Sequence, residues 1–162
     1  MKKIFYFMIL GLGVALFSSC EKDLEIGGTA TEQMAGDWYV QYSADPEHAP
    51  SGDYYYFTTY NTASNVPTEM FLDGMETFWQ FKGKVNVDLS TLSFSADNVQ
   101  NEYYDSQFTV LNGKILKGAA TAPGSKAKTD SIYFQVKFSD DDDGLTYTLS
   151  GYKKTGFLED NQ

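Results

Sequence analysis

The side chains that most often perform hydrolysis are scarce in this sequence. Its 162 residues include one histidine, His48, and one cysteine, Cys20. A serine nucleophile needs a histidine to accept its proton, and the sequence has no Gly-x-Ser-x-Gly turn to present such a serine. His48 lies in a predicted loop between two prolines, where a single histidine is usually an ordinary surface residue. We therefore predict no catalytic residue.

Acidic residues are the other candidates for chemistry. Two facing carboxylates could hydrolyse a glycosidic bond, and the acids that lie among aromatic residues are Glu69, Asp73, Glu76 and Asp88. Because the chain has 22 Asp and Glu residues, such neighbours arise by chance, and we predict no glycosidase.

Metal sites have equally little support in the sequence. Zinc is disfavoured because His and Cys ligands are missing. The acidic run at residues 140–143 offers oxygen ligands for calcium, but it lacks the spacing and the final glutamate of an EF-hand. We predict no metal and no cofactor, with calcium at this run as the one alternative.

The first 20 residues have the layout of an export signal. Two lysines precede an apolar run over residues 4–17, and two serines lead to Cys20. The run is shorter than the roughly 18 to 20 residues that a membrane-spanning helix needs. Cleavage before Cys20 would expose it for acylation, in a segment that resembles a lipobox. We predict a signal peptide over residues 1–19, lipidation of Cys20, and an outer-membrane lipoprotein of the cell envelope.

Charge excludes nucleic acid as a partner. The formal net charge is -10, and removal of residues 1–19 takes away two lysines and no acid, which leaves -12. Such a surface repels phosphates. The charged stretch at residues 21–25 has two open interpretations. It is a solvated tether, or it is a surface-export tag like those of some Bacteroidetes lipoproteins, which it resembles.

A composition change separates a tether from one folded domain. Residues 20–33 show no hydrophobic periodicity and are predicted to be flexible. From Met34 onward aromatic and β-branched residues alternate with polar ones, and no stretch has a helical stripe. We predict an all-β domain over residues 34–162, an antiparallel meander of roughly eight or nine strands that closes as a barrel or packs as a sandwich.

Strand positions follow from the alternation. Strands are predicted at Gly36–Ser43, 54–61, 70–72, 77–81, 84–88, 92–95, 131–138 and 145–150. Two hairpins are predicted, one turning at Asp143-Gly144 and one, between residues 108–111 and 115–116, turning at Asn112-Gly113. Residues 44–53 and 118–130 are predicted loops.

Aromatic content is the strongest remaining signal, with 12 Tyr, 12 Phe and 2 Trp. Aromatic rings fill small β cores, or they line a barrel whose interior is too wide for its own side chains and accepts an apolar guest. Both interpretations stay open. If a guest binds, strand alternation and bulk predict that the pocket wall contains Trp38, Tyr54, Tyr56, Trp79 and Phe81.

Several segments, read together, resemble a known family. They are Gly36-Asp37-Trp38-Tyr39-Val40, Thr59-Tyr60-Asn61-Thr62-Ala63-Ser64-Asn65, Met70-Phe71-Leu72-Asp73-Gly74, Phe78-Trp79-Gln80-Phe81-Lys82-Gly83-Lys84-Val85 and Leu92-Ser93-Phe94. Over most of residues 34–155 the chain resembles the Bacteroidetes lipoproteins described as lipid-binding putative hydrolases, whose fold is lipocalin-like. The resemblance implies a small apolar ligand inside a β-barrel. It carries over no catalytic residue.

Three functions follow, in order of preference. The first is a lipid-anchored, lipocalin-like barrel or half-barrel that binds a lipid or another apolar small molecule. The second is a non-catalytic surface module that binds glycan or protein through exposed aromatic side chains. The third is an esterase-like hydrolase with His48 as its base. The ligand's identity and the oligomeric state stay open.

Overall fold

Eight antiparallel strands form a closed barrel in which every strand pairs with its neighbour in sequence and the last pairs with the first. The computed structural model describes residues 27–44, 51–75 and 77–162, so the predicted signal peptide, Cys20, His48 and Glu76 lie outside the described residues. The strands are β1 (Gly36–Ser43), β2 (Tyr55–Asn61), β3 (Glu69–Asp73), β4 (Lys82–Asp88), β5 (Ser93–Gln100), β6 (Gln107–Thr121), β7 (Lys128–Phe138) and β8 (Tyr147–Lys153). The predicted all-β meander is confirmed.

Only one short helical segment occurs in the described part of the chain. It is a 3-10 turn over Leu158–Asp160. No helix among the described residues has the length and apolar character to cross a membrane.

Strand alternation places the apolar residues inside the barrel. On β7, Ile132, Phe134 and Val136 are fully buried, whereas Tyr133 and Gln135 between them are partly exposed. A half-buried strand requires this period of two. The β7 and β8 strands pair as predicted, and Gly144 in their connection has the positive φ of +60° that its turn requires.

The interior of the barrel is filled by its own aromatic rings. Trp38, Phe57, Phe81, Phe108 and Phe134 are each at most 1% exposed. The ring of Phe57 lies 5.7 Å from that of Phe81 and 5.8 Å from that of Phe134. Eight strands enclose a space just wide enough for side chains to fill. The middle of this barrel is therefore core.

The predicted hairpin at Asn112-Gly113 is wrong. These residues lie within β6, which runs unbroken for 15 residues. Asn112 has a φ of 55°, and the pairing with β7 shifts register between Leu111 and Lys114. A Cβ on Gly113 would lie 2.5 Å from the ring of Phe94. The Asn-Gly pair therefore forms a bulge, which bends the long strand around the barrel without reversing it.

Two predicted boundaries also change. The loop predicted over residues 118–130 is strand at both of its ends, and β6 turns into β7 within residues 122–127, where the N–H of Ala122 donates to the carbonyl of Ala127 at 2.9 Å. The strand predicted over residues 77–81 is a loop. The N–H of Gly74 donates to the carbonyl of Phe81 at 2.9 Å, which closes this loop at the end of β3 and lifts residues 78–79 over the barrel.

The two ends of the barrel differ. The loops after β1, β3, β5 and β7 form one end, which we call the mouth, and the chain enters β1 and leaves β8 at the other, which we call the closed end. At the closed end the Trp38 indole N–H donates to Thr59 Oγ1 at 2.9 Å, and that hydroxyl donates to the Met34 carbonyl at 2.6 Å. Met34 is fully buried. The turn before β1 therefore seals this end.

The C-terminus is fastened to the closed end by Asp160. Its carboxylate accepts hydrogen bonds from the N–H groups of Gly124 and Ser125, at 2.9 and 2.8 Å, and from the hydroxyls of Ser125 and Thr155, both at 2.5 Å. Burial raises the pKa of Asp160, but these hydrogen bonds outweigh it and lower the pKa to about 2.

The first prediction concerns the seam that closes the barrel. Gly151 of β8 pairs with Val40 of β1, and a Cβ on Gly151 would lie 1.9 Å from the Tyr39 carbonyl oxygen. We expect Gly151→Ala to lower the free energy of unfolding by roughly 1 to 3 kcal/mol in urea denaturation, as overpacking does. The control is Gly156→Ala, whose added Cβ meets no atom within 4 Å. Equal losses in both variants would contradict the tight seam.

The second prediction concerns Asp160 and acid. A carboxyl whose pKa is lowered from 3.8 to about 2 stabilises the fold above pH 3.8 and loses that contribution as the pH falls through 2. We expect Asp160→Asn to have the lower melting temperature at pH 7, with the gap narrowing below pH 3.8. A gap that stays the same from pH 7 to pH 2 would show that the carboxylate is not the cause.

Candidate functional site

Aromatic side chains gather at the mouth of the barrel. They come from the end of β1, the start of β2, the loop after β3, the end of β7 and the start of β8. We call this group the aromatic mouth, and it consists of Tyr42, Tyr55, Phe78, Trp79, Phe138 and Tyr147. Phe138 and Tyr147 are buried, whereas the other four rings are partly exposed.

Phe78 occupies the centre of the aromatic mouth. Its ring centroid lies 4.8 Å from that of Tyr42, 5.5 Å from Tyr55 and 5.6 Å from Tyr147. It also lies 6.4 Å from Phe57, which belongs to the filled core below. Phe78 is carried by a loop, whereas these four neighbours belong to strands. It therefore caps the core with an apolar ring that no strand ladder fixes in place.

Trp79 forms the rim beside this cap. Its ring stacks on Phe138 with centroids 4.7 Å apart and planes 6° from parallel. Its indole N–H donates to Asp140 Oδ2 at 3.3 Å, and the Tyr104 hydroxyl donates to the same oxygen at 2.9 Å. Asp140 therefore links the loop after β3 to the loops after β5 and β7. Phe138 covers one face of the indole, and the hydrogen bond to Asp140 fixes its N–H edge.

The Tyr147 and Tyr55 phenols of the mouth remain protonated at neutral pH. Burial, together with the charges of Asp141 and Asp143, raises the pKa of Tyr147. Burial, with Tyr42 and Asp53 beside it, raises the pKa of Tyr55. These two side chains consequently contribute neutral hydroxyls and apolar ring faces to the mouth.

The structure does not bring the five predicted pocket residues together. Trp38 and Phe81 lie in the core, and Trp79 lies at the mouth. Tyr54 and Tyr56 lie on the outer wall, because the inward Phe57 places its neighbour Tyr56 outward. The alternation of residues 55 and 57 could have identified Tyr55 as an inward ring. Phe78 could not be found this way, because the residues around it form no strand.

The outward tyrosines form a second aromatic group, which we call the outer tyrosine patch. It consists of Tyr39, Tyr54, Tyr56 and Tyr152. The rings of Tyr39 and Tyr56 lie 5.8 Å apart, and those of Tyr54 and Tyr152 lie 5.5 Å apart. Burial, and then the hydrogen bond and charge of Asp37, raise the pKa of Tyr56 to about 12. Tyr39 and Tyr152 are mostly covered, so the patch offers limited apolar surface.

Three of the four acids considered for glycoside hydrolysis lie within the described residues, and each accepts a hydrogen bond from a neighbouring hydroxyl. Asp73 accepts hydrogen bonds from Tyr103 at 2.7 Å and Tyr60 at 3.1 Å. Glu69 accepts one from Thr62 at 2.6 Å, and Asp88 one from Ser90 at 2.6 Å.

The acidic run at residues 140–143 shapes its own turn. Asp141 accepts hydrogen bonds from the N–H groups of Asp143, at 3.1 Å, and Leu145, at 2.9 Å. Among the described residues, no three His, Cys, Asp or Glu side chains lie together as metal ligands would. At least one carboxylate of the run is therefore used to cap the backbone of the turn.

Comparison with known protein families gives a match over most of the chain. A family model described as "Lipid-binding putative hydrolase" matches residues 23–158, which include all eight strands and the aromatic mouth. No curated protein matches the chain. The family match covers most of the sequence and agrees with the resemblance in the segments around Trp38 and Trp79. This eight-stranded barrel therefore belongs to the family described as lipid-binding putative hydrolases.

Proposed function

We propose that this protein binds a lipid or another apolar small molecule at the aromatic mouth of its barrel. The observation that carries the proposal is Phe78, an apolar ring on a loop that caps the core and has partly exposed aromatic neighbours. A ligand chain that displaced this ring would lie against Tyr42, Tyr55 and Trp79. Family membership supports a lipid as the class of ligand.

The mouth is a better site than the middle of the barrel. Phe57, Phe81 and Phe134 are fully buried and pack against one another, so a guest at their level would have to break core contacts. Loss of such contacts lowers the free energy of unfolding, by roughly 3 to 5 kcal/mol for a buried Phe→Ala change. Moving one loop ring costs less, and each ligand methylene that is buried in its place returns about 0.8 kcal/mol.

The proposal includes export and anchoring. We infer that the signal peptide is removed, that Cys20 is acylated, and that the lipid holds the protein at the outer membrane of the cell envelope. The chain reaches the barrel at the closed end, where the Lys153 ammonium donates to the Ala35 carbonyl at 2.8 Å. An anchored barrel would consequently have its mouth on the side away from its tether.

A second candidate is supported by the outer tyrosine patch. Tyr54 and Tyr56 are partly exposed on the barrel wall, and the Lys154 ammonium lies 5.7 Å from the Tyr56 ring. Exposed tyrosines with a nearby cation are suited to contact a glycan or a protein surface. In this alternative the aromatic mouth is the upper layer of the core and binds nothing.

The third prediction separates the two candidates by native mass spectrometry of the purified protein, before and after delipidation and then with added lipid. We expect a removable adduct of lipid mass. We expect Trp79→Ala to weaken lipid uptake by about tenfold, the effect of losing one well-packed aromatic anchor. The loss in free energy of unfolding should be smaller than the loss in binding free energy.

The matched control is Tyr56→Ala, which removes an aromatic ring from the outer wall. It should leave lipid uptake unchanged, because its ring does not face the mouth. A protein that carries no adduct and takes up no lipid would contradict the proposal. Loss of lipid uptake in Tyr56→Ala, with uptake by Trp79→Ala unchanged, would assign the binding site to the outer tyrosine patch.

A further inference from the structure

Negative charge is concentrated at the mouth. The described parts of its four loops carry Asp53, Glu102, Asp105 and the four aspartates at residues 140–143, and they contain no lysine or arginine. The loops and chain ends that form the closed end are nearly balanced within the described residues. They carry Glu32, Glu159 and Asp160 against Lys126 and Lys154. The acidic composition of the chain is thus directed toward one end of the barrel.

The lysines nearest the mouth do not offset this charge at the aromatic rings. Lys82 and Lys137 lie on flanking strands, and Lys137 points outward between the inward Val136 and Phe138. The Lys82 ammonium lies on the outer wall, 5.0 Å from the Phe71 ring, and pairs with Glu102 at 3.5 Å. Asp140 accepts a hydrogen bond from the Trp79 indole, and the charges of Asp141 and Asp143 act on Tyr147.

The faces of the aromatic rings also favour a cation over an anion at the mouth. The face of an indole or phenol ring attracts a cation, and the attraction is larger where the cation is partly desolvated. Trp79, Tyr42 and Tyr55 are partly exposed at the mouth, within the field of those carboxylates. An anionic head group would meet repulsion from the acids and would not be attracted by the ring faces.

We propose that the ligand of the aromatic mouth is an amphiphile with a cationic ammonium head group, and that free fatty acids are discriminated against. This inference rests on the proposed function and deepens it by naming the class of ligand. The apolar chain would take the place of the Phe78 ring, and the ammonium would lie at the rim among aromatic faces and aspartates. Charge complementarity between rim and head group is the basis of the selectivity.

The fourth prediction uses three probes with the same twelve-carbon chain: dodecyltrimethylammonium, dodecanol and dodecanoate. Each is titrated into the purified protein below its micelle concentration, with native mass spectrometry and intrinsic tryptophan fluorescence as readouts. We expect the ammonium probe to bind on the order of tenfold more tightly than dodecanoate, as a cleft of one charge sign favours its counter-ion. The ratio should fall in 1 M salt, which screens charges beyond about 3 Å.

Two double variants test whether the preference for the ammonium probe arises from the carboxylates of the mouth. Asp142→Asn with Asp143→Asn removes two exposed carboxylates of the mouth that make no side-chain hydrogen bond within the described chain. Glu32→Gln with Glu159→Gln removes the same charge from exposed positions at the closed end. We expect only the mouth variant to reduce the preference for the ammonium probe, because both variants have the same net charge.

The outcomes distinguish this inference from the proposed function. Dodecanoate binding as tightly as the ammonium probe, with both weakened in Trp79→Ala, would overturn the charge selectivity and leave the lipid site at the mouth. Equal effects of the two charge variants would show nonspecific attraction to an acidic protein and would also overturn the inference. If none of the three probes binds, the proposed function itself fails.

Discussion

Closure of an eight-stranded sheet around its own aromatic side chains is the constraint on which the rest of this structure depends. Strand number and closure set the width of the barrel, and Phe57, Phe81, Phe108 and Phe134 occupy that width completely. Gly151 permits the close contact of β8 with β1 that completes the ring. Because the middle is filled and the closed end is sealed through Trp38, the mouth is where we propose that an apolar ligand binds.

The two ends of the barrel use different kinds of interaction. The closed end is held by buried, directional hydrogen bonds, which fix the chain segments before β1 and after β8. Hydrogen bonds of this kind leave these segments little freedom to move, since breaking one leaves a buried polar group without a partner. The mouth is held mainly by ring contacts, and Phe78 is attached to a loop. The hydrophobic effect that favours these contacts is non-directional, so one apolar group can replace another there at low cost.

The sequence predicted the fold better than it predicted the candidate site. Period-two alternation located most strands, because a half-buried strand leaves a direct imprint on residue type. The Asn112-Gly113 error arose because the same pair that favours a hairpin turn also suits a bulge with positive φ, and only the partner strands decide between them. Tyr54 and Tyr56 have the bulk expected of a pocket wall, but they face outward because they alternate with the inward Tyr55 and Phe57. Phe78 lies in a loop, where no periodicity marks the direction of a side chain.

The most direct test of ligand binding at the mouth uses the chain's two tryptophans as depth markers. Trp79 lies at the mouth, and Trp38 lies about four residues of β1 below Tyr42 of the mouth, roughly 13 Å along a strand. A dodecyl probe with bromine on its last carbons quenches nearby indoles. We predict that saturating probe quenches the wild-type protein but leaves the emission of Trp38 in Trp79→Phe unchanged. Equal quenching in that variant would place the ligand inside the barrel and contradict a filled core.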